Sequence, residues 1–390
     1  MGNIIAFVIK SYAEDLIGGG ETLVREFSRR LKENGYTVEI LSTTLRDYRD
    51  ERAVYPAGAS YVHDVLVRRF PVQRSSGNLQ RQPQDGDHNS LALVRSERWF
   101  RKDVHSPALY HYLKTHGRSY YLTIILDYFP GLSLYATMAN SGRTAIYPQL
   151  HNEPIAYLPL VRYLLDSADG IMFNCVPERD FARYNLGIRN PRTVIVGVGV
   201  ETDSVGQADR FRQKYGITEP FLLYVGRLDH AKNVPTLVRH FLSYKERFSR
   251  CDLKLVLMGQ GHLNLPSDPD IVVVGQGSDQ DKYDAMTAAL AVCQPSLLES
   301  LSIVLLEALG QGTPILVNGY NEVTRYHCVT GNCGLYFYGQ DDFALALELL
   351  YTRSQLRERL GQSGREYAQQ YSWDVVTQRL LDAIERFANA

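Results

Sequence analysis

Apolar residues fall along the chain in short unbroken runs separated by stretches of helical spacing. The first run, Asn3 to Ile9, has the continuity of a strand buried on both faces. Gly18, Gly19 and Gly20 follow it. Leu23, Val24, Phe27 and Leu31 then recur at helical spacing, and Gly35 stands where a helix would end. Tyr36 to Leu41 reads as the next strand, so the chain opens as strand, glycine loop, helix, strand, the start of a doubly wound α/β domain. Further strands are expected at Leu122 to Asp127 and Gly170 to Asn174, with a helix over Pro177 to Tyr184.

From Arg74 to His88 there is hardly an apolar residue, and a surface loop is the simplest account. The strand pattern restarts near Asn190 to Glu201. Apolar runs at 221–226, 253–259, 271–275, 291–295 and 314–318 alternate with helical stretches, including Pro235 to Phe248 and Ser302 to Leu309. They predict a second parallel sheet of five strands. Trp373 to Phe387 reads as one amphipathic helix, with Val375, Val376, Leu380, Leu381 and Ile384 on its apolar side. The implied class is α/β, with two doubly wound Rossmann-like domains facing a central cleft. The first spans 1–195, the second 196–370, and a terminal helix over 371–390 crosses back to the first.

Composition narrows the functions. A length of 390 residues fits two or three domains at roughly 150 residues each. Lys plus Arg is 42 against 43 for Asp plus Glu, a balance that argues against bulk nucleic-acid binding. The five cysteines contain no CxxC, and their simplest reading is reduced thiols, with Cys328 and Cys333 the only close pair. The opening apolar run is too short for a signal-peptide core, and no run approaches the ~18 residues that span a bilayer. A cytoplasmic protein, at most peripheral at the inner face of the plasma membrane, is the expectation.

Two segments carry candidate chemistry. In PSLLESLSIVLLEALGQGTPILVN (Pro295 to Asn318) a strand leads to a loop, and a helix starts near Ser302. Unengaged N–H groups at a helix start favour an anion, so a phosphate near Leu301 and Ser302 is expected. Glu299 and Glu307 flank that point and could accept hydrogen bonds from hydroxyls on either side of a bound diphosphate. As bare spacing the two glutamates mean little, since a capping residue and a solvated one would look the same. YVGRLDHAKN (Tyr224 to Asn233) follows a strand and precedes a helix with Pro235 in its first turn. Arg227 and Lys232 therefore lie at the carboxyl end of a parallel strand, where doubly wound sheets bind ligands. Two cations there would neutralise a diphosphate and stabilise it as a leaving group.

In these motifs the sequence resembles the family 4 glycosyltransferases, retaining enzymes of GT-B architecture that use nucleotide-diphospho-sugars. GRLDHAKN, ESLSIVLLE with its GTPILVN continuation, GVGVE (Gly197 to Glu201), GGGE (Gly18 to Glu21) and LHNEP (Leu150 to Pro154) carry the resemblance, which spans the chain. It implies that Arg227 and Lys232, beside Gly226, hold the donor diphosphate. Glu299 would bind sugar hydroxyls, Glu307 the ribose hydroxyls, and the Leu301 and Ser302 amides the phosphates. The peptide around Gly275 and Gln276 would contact the base, and Gly19 and Gly20 would let the first domain's backbone close on the donor. His151 would stand near the reacting sugar carbon. Related sequences read HDEP where this chain has Asn152, which leaves Glu153 as the carboxylate of that loop.

The resemblance implies transfer of a hexose, in a UDP-linked donor, to a glycan or lipid-linked saccharide hydroxyl in cell-envelope or exopolysaccharide synthesis. It implies no cofactor and no metal, so the DxD triplets at Asp85–Asp87, Asp268–Asp270 and Asp279–Asp281 are read as loop charges. Arg25, Arg29, Arg30 and Lys32 on one helix, and RSERWFRKDVH (Arg95 to His105), leave two readings open: a solvated basic face, or contact with an anionic membrane surface. Two rival functions stand beside transfer: a nucleotide-sugar epimerase on the same architecture, and a non-catalytic nucleotide-sugar-binding partner of another transferase. A nicotinamide-dependent dehydrogenase fits poorly, because no GxGxxG follows the first strand.

Overall fold

The computed structural model describes residues 3–16, 18–46, 54–73, 97, 100, 103–128, 131–249 and 252–389. The chain divides into two units, Met1–Gly197 together with Thr377–Ala390, and Val198–Val376. In the first unit the strands are β1 (Ile4–Val8), β2 (Thr37–Thr43), β3 (Gly58–Val62), β4 (Val65–Phe70), β5 (Leu122–Leu126), β6 (Thr144–Tyr147), β7 (Gly170–Phe173) and β8 (Thr193–Ile195). They form one sheet in the order β3-β4-β2-β1-β5-β6-β7-β8. All neighbours pair parallel except β3 with β4. The order reverses at β1, which pairs with β2 on one side and β5 on the other, so the switch point lies between β1 and β5. The helices are α1 (Gly19–Glu33), α2 (Pro107–His116), α3 (Gly131–Ala139), α4 (Pro159–Ser167) and α5 (Val176–Asp180).

The second unit contains α6 (Ala208–Tyr215), β9 (Phe221–Val225), α7 (Val234–Phe248), β10 (Lys254–Met258), β11 (Ile271–Gly275), α8 (Asp279–Ala288), β12 (Ala291–Gln294), α9 (Ile303–Gly310), β13 (Ile315–Asn318), α10 (Glu322–Thr330), β14 (Gly334–Phe337), α11 (Gln340–Thr352) and α12 (Ser354–Ala368). Its strand order, β11-β10-β9-β12-β13-β14, is the six-stranded doubly wound arrangement, with the switch point between β9 and β12. Every residue of β9 and β12 is buried, as strands covered on both faces require. Leu222, Tyr224, Leu255 and Leu257 pack with Leu237, Val238 and Phe241 of α7 and Phe343 and Leu347 of α11. At about 1.5–3 kcal/mol per large apolar side chain, this core holds rigid the strand ends that carry the candidate site.

The second sheet has six strands among the described residues, not five. The strand missed is β14, GLYF, a part-exposed edge strand that opens on glycine. β3 and β4 also escape notice. β3 is an almost wholly exposed edge strand, and the Arg68 and Arg69 charges disguise β4, although Arg68 pairs with Glu39 and Arg69 is buried. The helix expected over Pro177 to Tyr184 is α5 followed by a wider turn, Phe181–Asn185, that keeps Phe181 edge-on to Tyr157.

The terminal helix α13 (Trp373–Ala388) begins in the second unit, and its later residues belong with the first. There Glu385 accepts hydrogen bonds from the hydroxyls of Tyr36 at 2.7 Å and Tyr121 at 2.8 Å. The Phe387 ring lies against Gly170 so closely that a Cβ there would collide with it.

The cationic row on α1 is neither free nor evenly solvated. Arg29 pairs with Glu33 at 2.6 Å, Arg30 is buried and pairs with Glu26 at 2.5 Å, and Lys32 donates to the Asp64 carbonyl at 2.7 Å. The polar stretch 74–88, with the Asp85–Asp87 triplet, lies outside the described residues, as does most of 95–105. In the two described triplets, Asp270 pairs with Lys245 and Lys254, Asp279 with Lys282 and Asp281 with Lys214. Among the described residues no helix is long and apolar enough to cross a membrane.

Candidate functional site

In the second unit the candidate residues gather at the carboxyl ends of adjacent strands. β9 ends at Gly226, whose φ of +149° suits glycine. A Cβ on Gly259, the matching residue after β10, would strike the Gly226 carbonyl, so the loops pass only with glycine at 259. The chain then turns through Arg227 to Asn233. The Tyr224 hydroxyl donates to the Arg227 carbonyl at 2.7 Å, and the Asp229 carboxylate accepts the Lys232 N–H at 2.8 Å. The Lys232 side chain emerges from this turn and its Nζ donates to Oε1 of Glu299 at 2.6 Å. Arg227 is about half exposed and lies 3.5 Å from Asp229. The tool of this loop is therefore one anchored cation beside one reaching outward.

The Glu299 loop is held by three asparagines that the sequence pattern did not single out. Asn233 and Asn318 both donate to the Pro295 carbonyl, at 3.0 and 3.1 Å, and Asn321 donates to the Leu297 carbonyl at 3.0 Å. Ser302 caps α9 with φ +64°, a left-handed conformation rare for a residue with a Cβ. Among the described residues no acceptor takes the N–H of Ser302, Ile303 or Val304. These groups form the anion-favouring end of α9. Behind the loop, His327 of α10 contacts the Leu301 carbonyl at 2.9 Å.

Glu307 is buried one turn into α9, and Oε1 accepts from Lys282 of α8 at 2.7 Å. Burial pushes the Glu307 carboxyl above the usual range, against the pull of the Lys282 ammonium. Burial also opposes the charge on Lys282, but the Glu307 carboxylate outweighs it and Lys282 holds its proton more firmly than an ordinary lysine. Lys282 was not identified from sequence, where i to i+3 spacing from Asp279 looks like a surface pair. Gly275 has φ +72° and its carbonyl accepts from Gly259 N–H at 2.9 Å, while Gln276 is exposed. With that carbonyl engaged, the trans peptide turns the Gln276 N–H the opposite way.

His151, Gly19 and Gly20 belong to the first unit. Gly19 and Gly20 open α1 after β1, and a Cβ on Gly20 would rest 4.0 Å from the Gln149 side chain. The structure thus places the glycine turn beside the loop after β6 that carries His151. In that loop His151 Nδ1 lies 3.6 Å from Oε1 of Glu153, and that oxygen accepts from the Tyr128 hydroxyl at 2.6 Å. Burial disfavours the Glu153 carboxylate, but the nearby His151 ring and the Tyr128 hydrogen bond outweigh it and set the carboxyl below its ordinary range. Asn152 accepts from Tyr157 at 2.9 Å. Beneath the loop, fully buried Glu178 accepts the N–H groups of Leu150 at 2.6 Å and Asn174 at 2.5 Å. Burial pushes its carboxyl up to about 8, against those two bonds. No sequence signal marks Glu178, which reads as an exposed helix residue.

Comparison with known proteins gives a consistent set of likenesses. The family described as glycosyl transferases group 1 matches residues 207–367. The chain is 30% identical over 400 residues to the phosphatidyl-myo-inositol mannosyltransferase of Mycobacterium leprae, covering 98% of this chain and 97% of the relative. It is 26% identical over 394 residues to the D-inositol 3-phosphate glycosyltransferase of Kribbella flavida, covering 94% of this chain and 90% of the relative. Among solved structures, Anabaena HepE in complex with UDP superposes with a TM-score of 0.72 at 13% identity, over 99% of this chain and 100% of that one, a likeness of fold.

Proposed function

The chain belongs to the group 1 glycosyl transferases, and we propose that it moves a hexose with retention from a nucleotide-diphospho-sugar to a saccharide or lipid-linked hydroxyl. The observation that carries the donor half is the Lys232–Glu299 contact, 2.6 Å long, on a strand end next to the one that leads to the open amides of α9. A cation, a hydroxyl acceptor and three N–H groups form the set that a sugar diphosphate needs. In this reading Arg227, Lys232 and the Ser302 end of α9 take the diphosphate, Glu299 the sugar hydroxyls and Glu307 the ribose. Gly275 and Gln276 lie against the base, and His151 acts beside the reacting sugar.

The bond from the acceptor oxygen to the sugar carbon forms on the face from which the diphosphate leaves. The carbon–oxygen bond to the diphosphate breaks, and the acceptor proton passes to the departing phosphate oxygen. Arg227 and Lys232 stabilise the charge that develops there. We assign a UDP-linked hexose as donor, supported by the UDP in the HepE structure, and transfer without a metal. The relatives' names support a phosphorylated or lipid-linked polyol as acceptor.

The test is product analysis with UDP-glucose, UDP-N-acetylglucosamine, GDP-mannose and their free nucleotides, each with and without EDTA. The acceptors are inositol phosphate, phosphatidylinositol and lipid-linked saccharides. An α-linked product from an α-donor, formed equally with EDTA, is expected. A β-linked product would refute retention, a new sugar from donor alone would make the protein an epimerase, and nucleotide binding without turnover would favour a non-catalytic partner.

A further inference from the structure

His327, on α10, is fully buried and has no place in the chemistry assigned above. Its Nε2 lies 2.9 Å from the Leu301 carbonyl and its Nδ1 2.8 Å from the Tyr367 hydroxyl. A carbonyl oxygen can only accept, so Nε2 carries the proton and donates to Leu301. Nδ1 then presents its lone pair and accepts from Tyr367. Tyr371 extends the relay, its hydroxyl 3.3 Å from that of Tyr367. Burial lowers the ring pKa to about 4, with the Leu301 carbonyl acting the other way, and the neutral tautomer persists.

The Leu301 carbonyl and the Ser302 N–H belong to one peptide group. In a trans peptide the two point in opposite directions. Drawing the carbonyl inward to the buried imidazole therefore turns the Ser302 N–H away from it. Ser302 also holds the left-handed conformation that opens α9, a strained state for a residue with a Cβ that needs a fixed neighbour. Gln294, donating to the Ser302 hydroxyl at 3.4 Å, is a weak tether by comparison.

We propose that His327, locked by Tyr367, is a positioning residue for the donor diphosphate, holding the Leu301–Ser302 peptide with its N–H presented to a phosphate oxygen. The proposal deepens the donor-site reading and rests on it. His327 does not touch the donor; it acts through one peptide plane.

Calorimetric titration of the full chain with UDP against uridine, and GDP against guanosine, separates the phosphate contribution from the rest. Wild type is expected to bind one diphosphate well above its nucleoside. His327→Phe fills much of the same space without a donor, and should weaken the diphosphate about tenfold while leaving the nucleoside within roughly twofold. His327→Gln, whose amide can still donate to Leu301, should recover most of that loss. Tyr367→Phe removes only the hydroxyl that fixes the tautomer, and should give a smaller loss confined to the diphosphate. Equal weakening of diphosphate and nucleoside, or no change in either, overturns the positioning role. If His327→Phe does not fold, Tyr367→Phe decides alone by the same comparison. Wild type binding no diphosphate would instead remove the donor-site reading, and this proposal with it.

Discussion

Nζ of Lys232 and Oε1 of Glu299 stand 2.6 Å apart, joining the loop after β9 to the loop after β12 across the switch point of the second sheet. The two residues are 67 positions apart in sequence, and neither loop holds the contact by itself. Asp229 fixes the backbone under Lys232, and Asn233, Asn318 and Asn321 fix the backbone leading to Glu299.

Lys232→Met should lower kcat/KM for the donor by about two to three orders of magnitude, the scale seen when one charge-stabilising donor is removed. Pairing it with Glu299→Gln should recover thermal stability and leave turnover low. Steady-state rates and melting curves of the three variants check this. Full activity in Lys232→Met would remove the lysine from the reaction.

Lys282→Met strands the buried Glu307 carboxylate. Breaking a buried pair from one side costs about 3–5 kcal/mol, so the melting temperature should fall sharply. Lys282→Met with Glu307→Leu replaces both charges by apolar groups and should restore stability. The double variant should nevertheless bind the nucleotide weakly, because the ribose acceptor is gone. Differential scanning and nucleotide titration read the two effects separately.

Glu178→Gln should destabilise the first unit by about 1–3 kcal/mol, since an amide NH2 would face a backbone N–H that now has a carboxyl oxygen. The loop carrying His151 should loosen with it. Faster hydrogen exchange at Leu150 and Asn174, with a lower melting temperature, is the expected outcome; unchanged exchange would show the buried carboxyl to be dispensable.

His327 gives an acid-side signature. Its ring pKa falls from 6.5 to about 4 on folding, so the unfolded chain takes up a proton that the folded chain refuses. The stability it contributes is intact above 6.5 and is lost as pH falls toward 4, by roughly 3 kcal/mol. His327→Phe lacks this titration. The gap in unfolding free energy between wild type and His327→Phe should therefore narrow by about that amount between pH 7 and pH 4, measured by urea unfolding.

Local order in the chain was sufficient for the strands and helices at the candidate site. β1, β9, β10, β12 and β13 each sit on a short apolar run, as strands covered on both faces require, and β11 has such a run although it is a part-exposed edge strand. β3, β4 and β14 gave no such signal: one is exposed, one carries two arginines whose partners lie on other elements, and one is a part-exposed edge strand that opens on glycine. The order in which Arg227, Lys232, Glu299, Ser302 and Glu307 occur, and their places after strands and at a helix start, were legible because turn glycines and helix starts leave local marks.

The partners of those residues were not. Lys282 meets Glu307, His327 meets Leu301, and Glu178 holds Leu150 across 25, 26 and 28 residues. Sequence by itself determined the α/β class, the strand ends and the residue types that can meet a diphosphate, since periodicity and turn chemistry act over a few neighbours. Tertiary structure alone decided which carboxylate is buried against which lysine, and which peptide is turned outward. Those choices depend on which faces the folded sheets and helices press together, and no local pattern encodes a contact made only when the chain has closed.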